Sequence, residues 1–475
     1  MTSRRGLSLV VIALAISVTA AACSSANARP KTSPSVTTGI HKIKHVIVIM
    51  QENRSFDNYF GTYPGADGIP RRADGSFAVC LPSIHGGCQR PYHNPADVNG
   101  GGGHALPQAI SSIDHGKMDG FLTTGQTGRR GCPVRQNPVC GANGPVDVMG
   151  YHDAREIPNY WTYARRYVLQ DHLFAPSLSW SLPNHLFMVS GWAARCATTA
   201  PASCKTDLRG YPVKSVSNAV TTGHPAINFS WTDITYLLHK HHVSWRYYVE
   251  RGTQPDCTDP SEHTCPKVKQ GAQTPGIWNP LPLFVDVKHA GQVVNVQPVK
   301  SFRTAAAQGN LPSVSWIVPN GLNSEHPPDS IRAGQAWVTG LVNDVMRSPD
   351  WSSTAIFVSW DDWGGFYDHA KLPNVDQSGY GIRVPGLVIS PYSRRGYIDH
   401  QTLSHDAYLK FIEDDFLNGL RLDPKTDGRA DPRPTVRENA SQLGNLVNDF
   451  NFNQKPAAPV ILPTRPQPGK ASKPG

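Results

Sequence analysis

Four short runs of apolar, largely β-branched residues constrain this chain more than any other feature: 44–50, 313–318, Thr354–Trp360 and Gly386–Ile389. A strand with no polar face must be covered on both sides, as in a parallel sheet with helices above and below it. Helical spacing of apolar residues lies between and after these runs, over 331–346 and 405–420. The alternation predicts an α/β fold, a three-layer sandwich around a mostly parallel central sheet. At 475 residues and 39% hydrophobic, the chain can bury a core of that size.

The segments that follow the runs are polar in a consistent way. Gln51-Glu52-Asn53-Arg54-Ser55 follows the first, Ser324-Glu325-His326-Pro327-Pro328 the second and Asp361-Asp362-Trp363-Gly364-Gly365 the third. Ligands of open α/β sheets bind beyond the carboxyl ends of the strands, so these distant segments are expected to converge. Glu52, Asn53, Asp361 and Asp362 would then place three carboxylates and an amide oxygen together. Crowded carboxylates need a cation or protons, and oxygen ligation suits a divalent metal ion. Taken one at a time, each acid could equally cap a helix or turn.

Ser181 opens Ser181-Leu182-Pro183-Asn184-His185, ahead of an apolar helical stretch with Pro in its first turn. A serine there meets unpaired backbone N–H groups and the positive end of the helix dipole, a setting that favours a phosphate. Alone, it would be an ordinary helix cap. Beside a metal its hydroxyl becomes a nucleophile.

The stretch from His41 to Gly61, together with Gly116-Lys117-Met118-Asp119-Gly120-Phe121, Met149-Gly150-Tyr151-His152, Ser324-Glu325-His326-Pro327-Pro328 and 360–369, resembles the bacterial phosphoesterase family of phospholipases C and acid phosphatases. The motifs occur in the family's order over roughly residues 42–420. Ser181-Leu182-Pro183-Asn184-His185 also resembles the nucleophile segment of nucleotide pyrophosphatases, in the wider alkaline phosphatase superfamily. The resemblance implies an alkaline-phosphatase-like fold, a phosphoserine intermediate on Ser181, and a divalent metal held by Glu52, Asn53, Ser181, Asp361 and Asp362. It further implies that His115 and His326 face the phosphoryl oxygens or the leaving group. His369, His405 and Glu325 are expected behind the ligands. Serine in place of threonine, His185 in place of arginine, and Asp-Asp in place of Asp-Glu are closer to the acid phosphatases than to the phospholipases C.

The remaining sequence speaks to location. Arg4-Arg5, an apolar run from 7 to 18 and Ala20-Ala21-Ala22-Cys23 have the three parts of a secretory signal, with Cys23 placed for lipidation. Residues 1–22 read as the signal, 23–40 as a flexible tether, 41–453 as the catalytic domain and 454–475 as a disordered Pro-rich tail. The other eight cysteines fall in four pairs, Cys80 with Cys88, Cys132 with Cys140, Cys196 with Cys204 and Cys257 with Cys265. Each pair is eight apart, which points to four local disulfides formed in an oxidising compartment outside the cytoplasm. The net charge of +9 contains no dense basic run, so no nucleic-acid partner is expected. A phosphate ester or phospholipid is the expected substrate, met at a membrane if Cys23 is anchored. Two other readings are a metal-independent serine esterase, disfavoured by the absence of a Gly-x-Ser-x-Gly elbow, and a non-catalytic surface binding protein on the same fold.

Overall fold

In the computed structural model, residues 39–83, 86–127, 146–209, 228–255, 267–431, 433 and 436–472 are described. Of the four expected disulfides, two are bonded, Cys80 to Cys88 and Cys196 to Cys204. The other two expected pairs, Cys132 with Cys140 and Cys257 with Cys265, lie outside the described residues, as does Cys23.

The apolar runs form the middle of an eight-stranded sheet. In chain order its strands are β1 (His45–Gln51), β2 (Val168–Gln170), β3 (Trp245–Val249), β4 (Val296–Pro298), β5 (Val314–Val318), β6 (Thr354–Trp360), β7 (Gly386–Ile389) and β8 (Tyr397–Asp399). Their spatial order is β4-β3-β5-β1-β6-β7-β2-β8. Among the described residues of this sheet, only β7 runs antiparallel to its neighbours. Every residue from Val46 to Met50 is fully buried, as a strand covered on both faces requires.

The two helical layers can be read from β6. Phe357 stacks on Tyr408, with ring centroids 4.9 Å apart, and meets Phe411 edge-on, which puts the helix Asp406–Phe416 on one face. Trp360, three residues on, points to the other face and packs edge-on against Tyr160 of the helix Pro158–Arg166. That helix touches Ile331–Arg347, which buries Ile331, Gly334, Trp337, Val338, Leu341, Val342 and Val345 at helical spacing. The helix Ser181–Ser190 packs beside Asp406–Phe416 in the opposite layer.

The C-terminal stretch departs from the expectation of disorder. Residues 454–472 lie extended against the helical layer: Trp351 Nε1 donates to the Ala457 carbonyl, Asn343 Nδ2 to that of Leu462, and Asn159 Nδ2 to that of Pro463. The Ser472 amide then closes on Asp153. A Pro-rich segment satisfies no backbone groups within itself, and here side chains of the folded body supply the partners. Composition reports only the first of these facts.

Candidate active site

Strand register brings the first of the acids together. Gln51 and Trp360 are paired at the ends of the adjacent parallel strands β1 and β6, so Glu52 and Asp361 leave the sheet side by side. The Asp361 amide donates to the Gln51 carbonyl at 2.9 Å, and the Glu52 amide donates to the Ser324 carbonyl beyond β5 at 3.1 Å. The three polar segments thus meet at the centre of the sheet. Asn53 takes a left-handed conformation, φ 62°, and a Cβ at Gly364 would lie 2.4 Å from its carbonyl oxygen. Only glycine lets the two turns approach this closely.

Within this turn, the Asn53 amide donates to Asp361 Oδ1 at 2.9 Å and its side-chain Nδ2 to Asp362 Oδ1 at 3.0 Å. Asn53 Oδ1, Asp361 Oδ2 and Asp362 Oδ2 are buried without a hydrogen-bond partner. Ser181 is the first residue of its helix, after an extended Trp180 whose side chain caps nothing, so the leading N–H groups stay open to an anion. His185 lies one turn on, on the same helix face. Both reach a single carboxylate: Ser181 Oγ donates to Glu52 Oε2 at 3.2 Å, and His185 Nε2 meets Glu52 Oε1 at 3.0 Å. Glu52, His185 and Asp361 form a group with metal-binding spacing. His185, prominent in sequence only as a departure from a family pattern, is therefore part of the cluster.

All these groups are buried, and their protonation equilibria reflect it. Burial, then the charges of Asp361 and Asp362, push the Glu52 carboxyl well above its usual range. Burial and the neighbouring Asp361 do the same to Asp362. Burial would also raise Asp361, but hydrogen bonding with Glu52 and the presence of His185 leave it below the ordinary value. Burial pushes His185 down to about 4. Opposed shifts among three crowded acids are what like charges held close together in a buried place produce.

His326 occupies the far side. Its Nδ1 lies 2.7 Å from the Pro327 carbonyl, which can only accept, so Nδ1 carries hydrogen and Nε2 is the free nitrogen. Burial and the neighbouring His104 hold it down to about 4. The His104 ring is 5.8 Å from that of His326, centroid to centroid, and is buried. Sequence reasoning misses His104, although four glycines at 100–103 precede it. A Cβ at Gly365 would meet Gly102 at 2.3 Å, so the glycine run lets the chain press against the Asp361-Asp362 turn and deliver His104. His115, the histidine expected from sequence, is exposed on the turn Asp114–Gly116, whereas His104 is the histidine packed beside His326.

The residues expected behind the ligands divide. His405 is buried under β6 with Nε2 3.1 Å from Ser359 Oγ, and it senses the charges of Asp361 and His185. His369 turns away and bonds Asp57 and Asp67. Glu325 accepts from Tyr59, Tyr160 and Trp360 rather than joining the acids of the cluster.

The chain belongs to the Phosphoesterase family, whose model matches residues 43–417, and is a hydrolase of phosphoric ester bonds. Among curated proteins it is similar to phospholipase C B of Mycobacterium tuberculosis, 26% identical over 87% of this chain and 78% of the relative. Non-hemolytic phospholipase C of Burkholderia pseudomallei is also 26% identical, over 89% of this chain and 61% of its own length. Solved structures that align include a protein in the alkaline phosphatase superfamily from Vibrio parahaemolyticus, at 10% identity and TM-score 0.33 over 83% of this chain and 72% of that one.

Proposed function

We propose that this chain is an exported, metal-dependent phosphoesterase that works through a phosphoserine on Ser181. The observation that carries the reading is the set of three unpartnered buried oxygens, on Asn53, Asp361 and Asp362, gathered with Glu52 about the Ser181 hydroxyl. Hard oxygen donors of this kind fit a divalent cation. Glu52, Asn53, Asp361, Asp362 and Ser181 would hold it, and when bound it supplies positive charge that lowers the hydroxyl pKa and offsets the charge on the ester.

The protein's own groups account for the rest. Glu52 accepts the Ser181 hydrogen bond and orients Oγ for attack on phosphorus. The open N–H groups of the helix face the phosphoryl oxygens. His326, with His104 beside it, stands where the departing oxygen needs a proton; the negative charge of a bound ester favours the imidazolium that burial alone opposes. As Ser181 Oγ bonds phosphorus it gives its proton to Glu52, and as the P–O bond to the leaving group breaks, that oxygen takes the His326 proton; water then attacks the phosphoserine, giving a proton to His326, and the released Ser181 Oγ takes its proton back from Glu52.

Ser181 bonds a carboxylate rather than a histidine, which speaks against the metal-independent serine esterase. Serine at 181 and histidine at 185 favour a phosphomonoesterase. The curated relatives, named as phospholipases C, favour a phospholipid diester instead. Hydrolysis of a phosphate monoester against a phosphocholine diester, with and without chelator, separates these readings; full activity in excess chelator overturns metal dependence. Export and attachment through Cys23 are part of the proposal, supported by the leader sequence and by two disulfides that persist only under oxidising conditions.

A further inference from the structure

Glu325 is a fully buried carboxylate that the reaction above does not use. It accepts three hydrogen bonds, from Tyr160 OH at 2.6 Å, Tyr59 OH at 2.7 Å and Trp360 Nε1 at 3.0 Å. Its carbonyl accepts a fourth, from Arg54 Nη2 at 2.6 Å. These donors come from the segment after β1, from the helix Pro158–Arg166 and from the last residue of β6. The residue is pinned to three elements at once, one of which continues into Asp361.

The backbone at this point is unusual. Glu325 has φ 66°, which a residue with a long side chain rarely adopts unless its surroundings enforce it. The helix Ile331–Arg347 makes room: a Cβ at Gly334 would lie 2.1 Å from Glu325 Cγ. Glycine inside a helix is less favourable than alanine, so the space for Glu325 is kept at the expense of helix propensity. The next residue is His326, whose amide bonds Ser324 Oγ, while the Ser324 carbonyl receives the Glu52 amide.

Resting on the function proposed above, we infer that Glu325 is a positioning residue: its anchored carboxylate sets the turn that holds His326 over the leaving group relative to Asp361 and Ser181. The Trp360 hydrogen bond ties that placement to the strand bearing Asp361, and the Tyr59 hydrogen bond ties it to the segment bearing Glu52. Aspartate is too short to reach all three donors. Glutamine turns an NH2 towards groups that can only donate or that already donate.

The test uses full-length protein and two phosphate monoesters, 4-nitrophenyl phosphate, whose leaving group needs no proton, and n-butyl phosphate, whose leaving group does. Glu325→Gln, Gly334→Ala and the milder Tyr160→Phe are compared with wild type and with His326→Ala, and thermal melting checks that each variant folds. For Gly334→Ala and Tyr160→Phe the expected loss in kcat is about 10-fold or more on the butyl ester and under about 3-fold on the nitrophenyl ester, the pattern of impaired proton delivery. Equal losses on both esters, or none on either, overturn the inference while His326→Ala still discriminates between them. If His326→Ala itself fails to discriminate, the acid role of His326 falls and the positioning role falls with it.

Discussion

Two buried groups of acids lie close together in this chain and are neutralised in opposite ways. Around Ser181, Glu52 and Asp361 gather about one histidine that burial keeps neutral, and one oxygen each of Asp361 and Asp362 has no partner. Around Arg383, a guanidinium with no solvent exposure bonds Asp368 at 2.8 Å and Asp57 at 3.3 Å, and His369 bridges Asp57 and Asp67. The second group carries its own cations and is complete. The first has carboxylate oxygens in excess of protein donors.

The largest effect should come from the nucleophile. Ser181→Ala is expected to lower turnover on a phosphate monoester by a factor on the order of 10⁴ or more while leaving the melting temperature near wild type. Near-normal turnover would show that Glu52 and its neighbours serve another group.

The comparison is next broken from the other side. Arg383→Met leaves Asp57 and Asp368 buried without their counter-ion and should destabilise the chain by about 3–5 kcal/mol in urea unfolding. Metal content of the protein that remains folded should be unchanged, because the two groups are neutralised independently.

A paired substitution sharpens it. In chelator-treated protein, Asp362→Asn removes one of three crowded carboxyls that burial and its neighbours make costly to ionise, and should stabilise the fold by about 1 kcal/mol, whereas Asp57→Asn should destabilise it by about 2 kcal/mol or more. The sign, measured by denaturation of the metal-free protein, decides. Destabilisation by both would mean that the Ser181 group is as complete as the other.

The smallest effect is in pH. Burial alone would lower the His369 pKa, but Asp57 and Asp67 outweigh it and raise it to about 10. The folded chain therefore holds a proton that the unfolded chain releases near 6.5, and the stability so contributed is complete below that value and lost as pH rises towards 10. Wild type should lose on the order of 1–2 kcal/mol more than His369→Asn between those limits, allowing for the half-exposed Asp67. Parallel curves would place the proton elsewhere.

Legibility in sequence followed burial. The run Thr354–Trp360 matches β6 residue for residue, β1 is displaced by one residue from the expected strand and β5 is one residue shorter, because central strands are buried on both faces. The strands β2, β4 and β8 are invisible to it: three residues each, too short for a period to show. β3 escapes too, since Trp-Arg-Tyr-Tyr-Val carries a charge inside it. Helix 331–346 is legible nearly whole, as its apolar stripe spans many turns. The tail misleads for the converse reason, since its order comes from side chains of other elements.

The site divides along the same line. Glu52, Asn53, Asp361, Asp362 and Ser181 were legible because each adjoins a strand end or helix start, and local pattern carries that information. That Glu52 bonds both Ser181 and His185, that His104 and not His115 stands beside His326, and that Glu325 is anchored by three distant donors could not be read from any window of the chain. Sequence alone determined which chemistry the chain carries, since side-chain type and strand-end position are local properties. Tertiary structure decided which groups share an oxygen, since that depends on strand register and on glycine-permitted contacts between segments hundreds of residues apart.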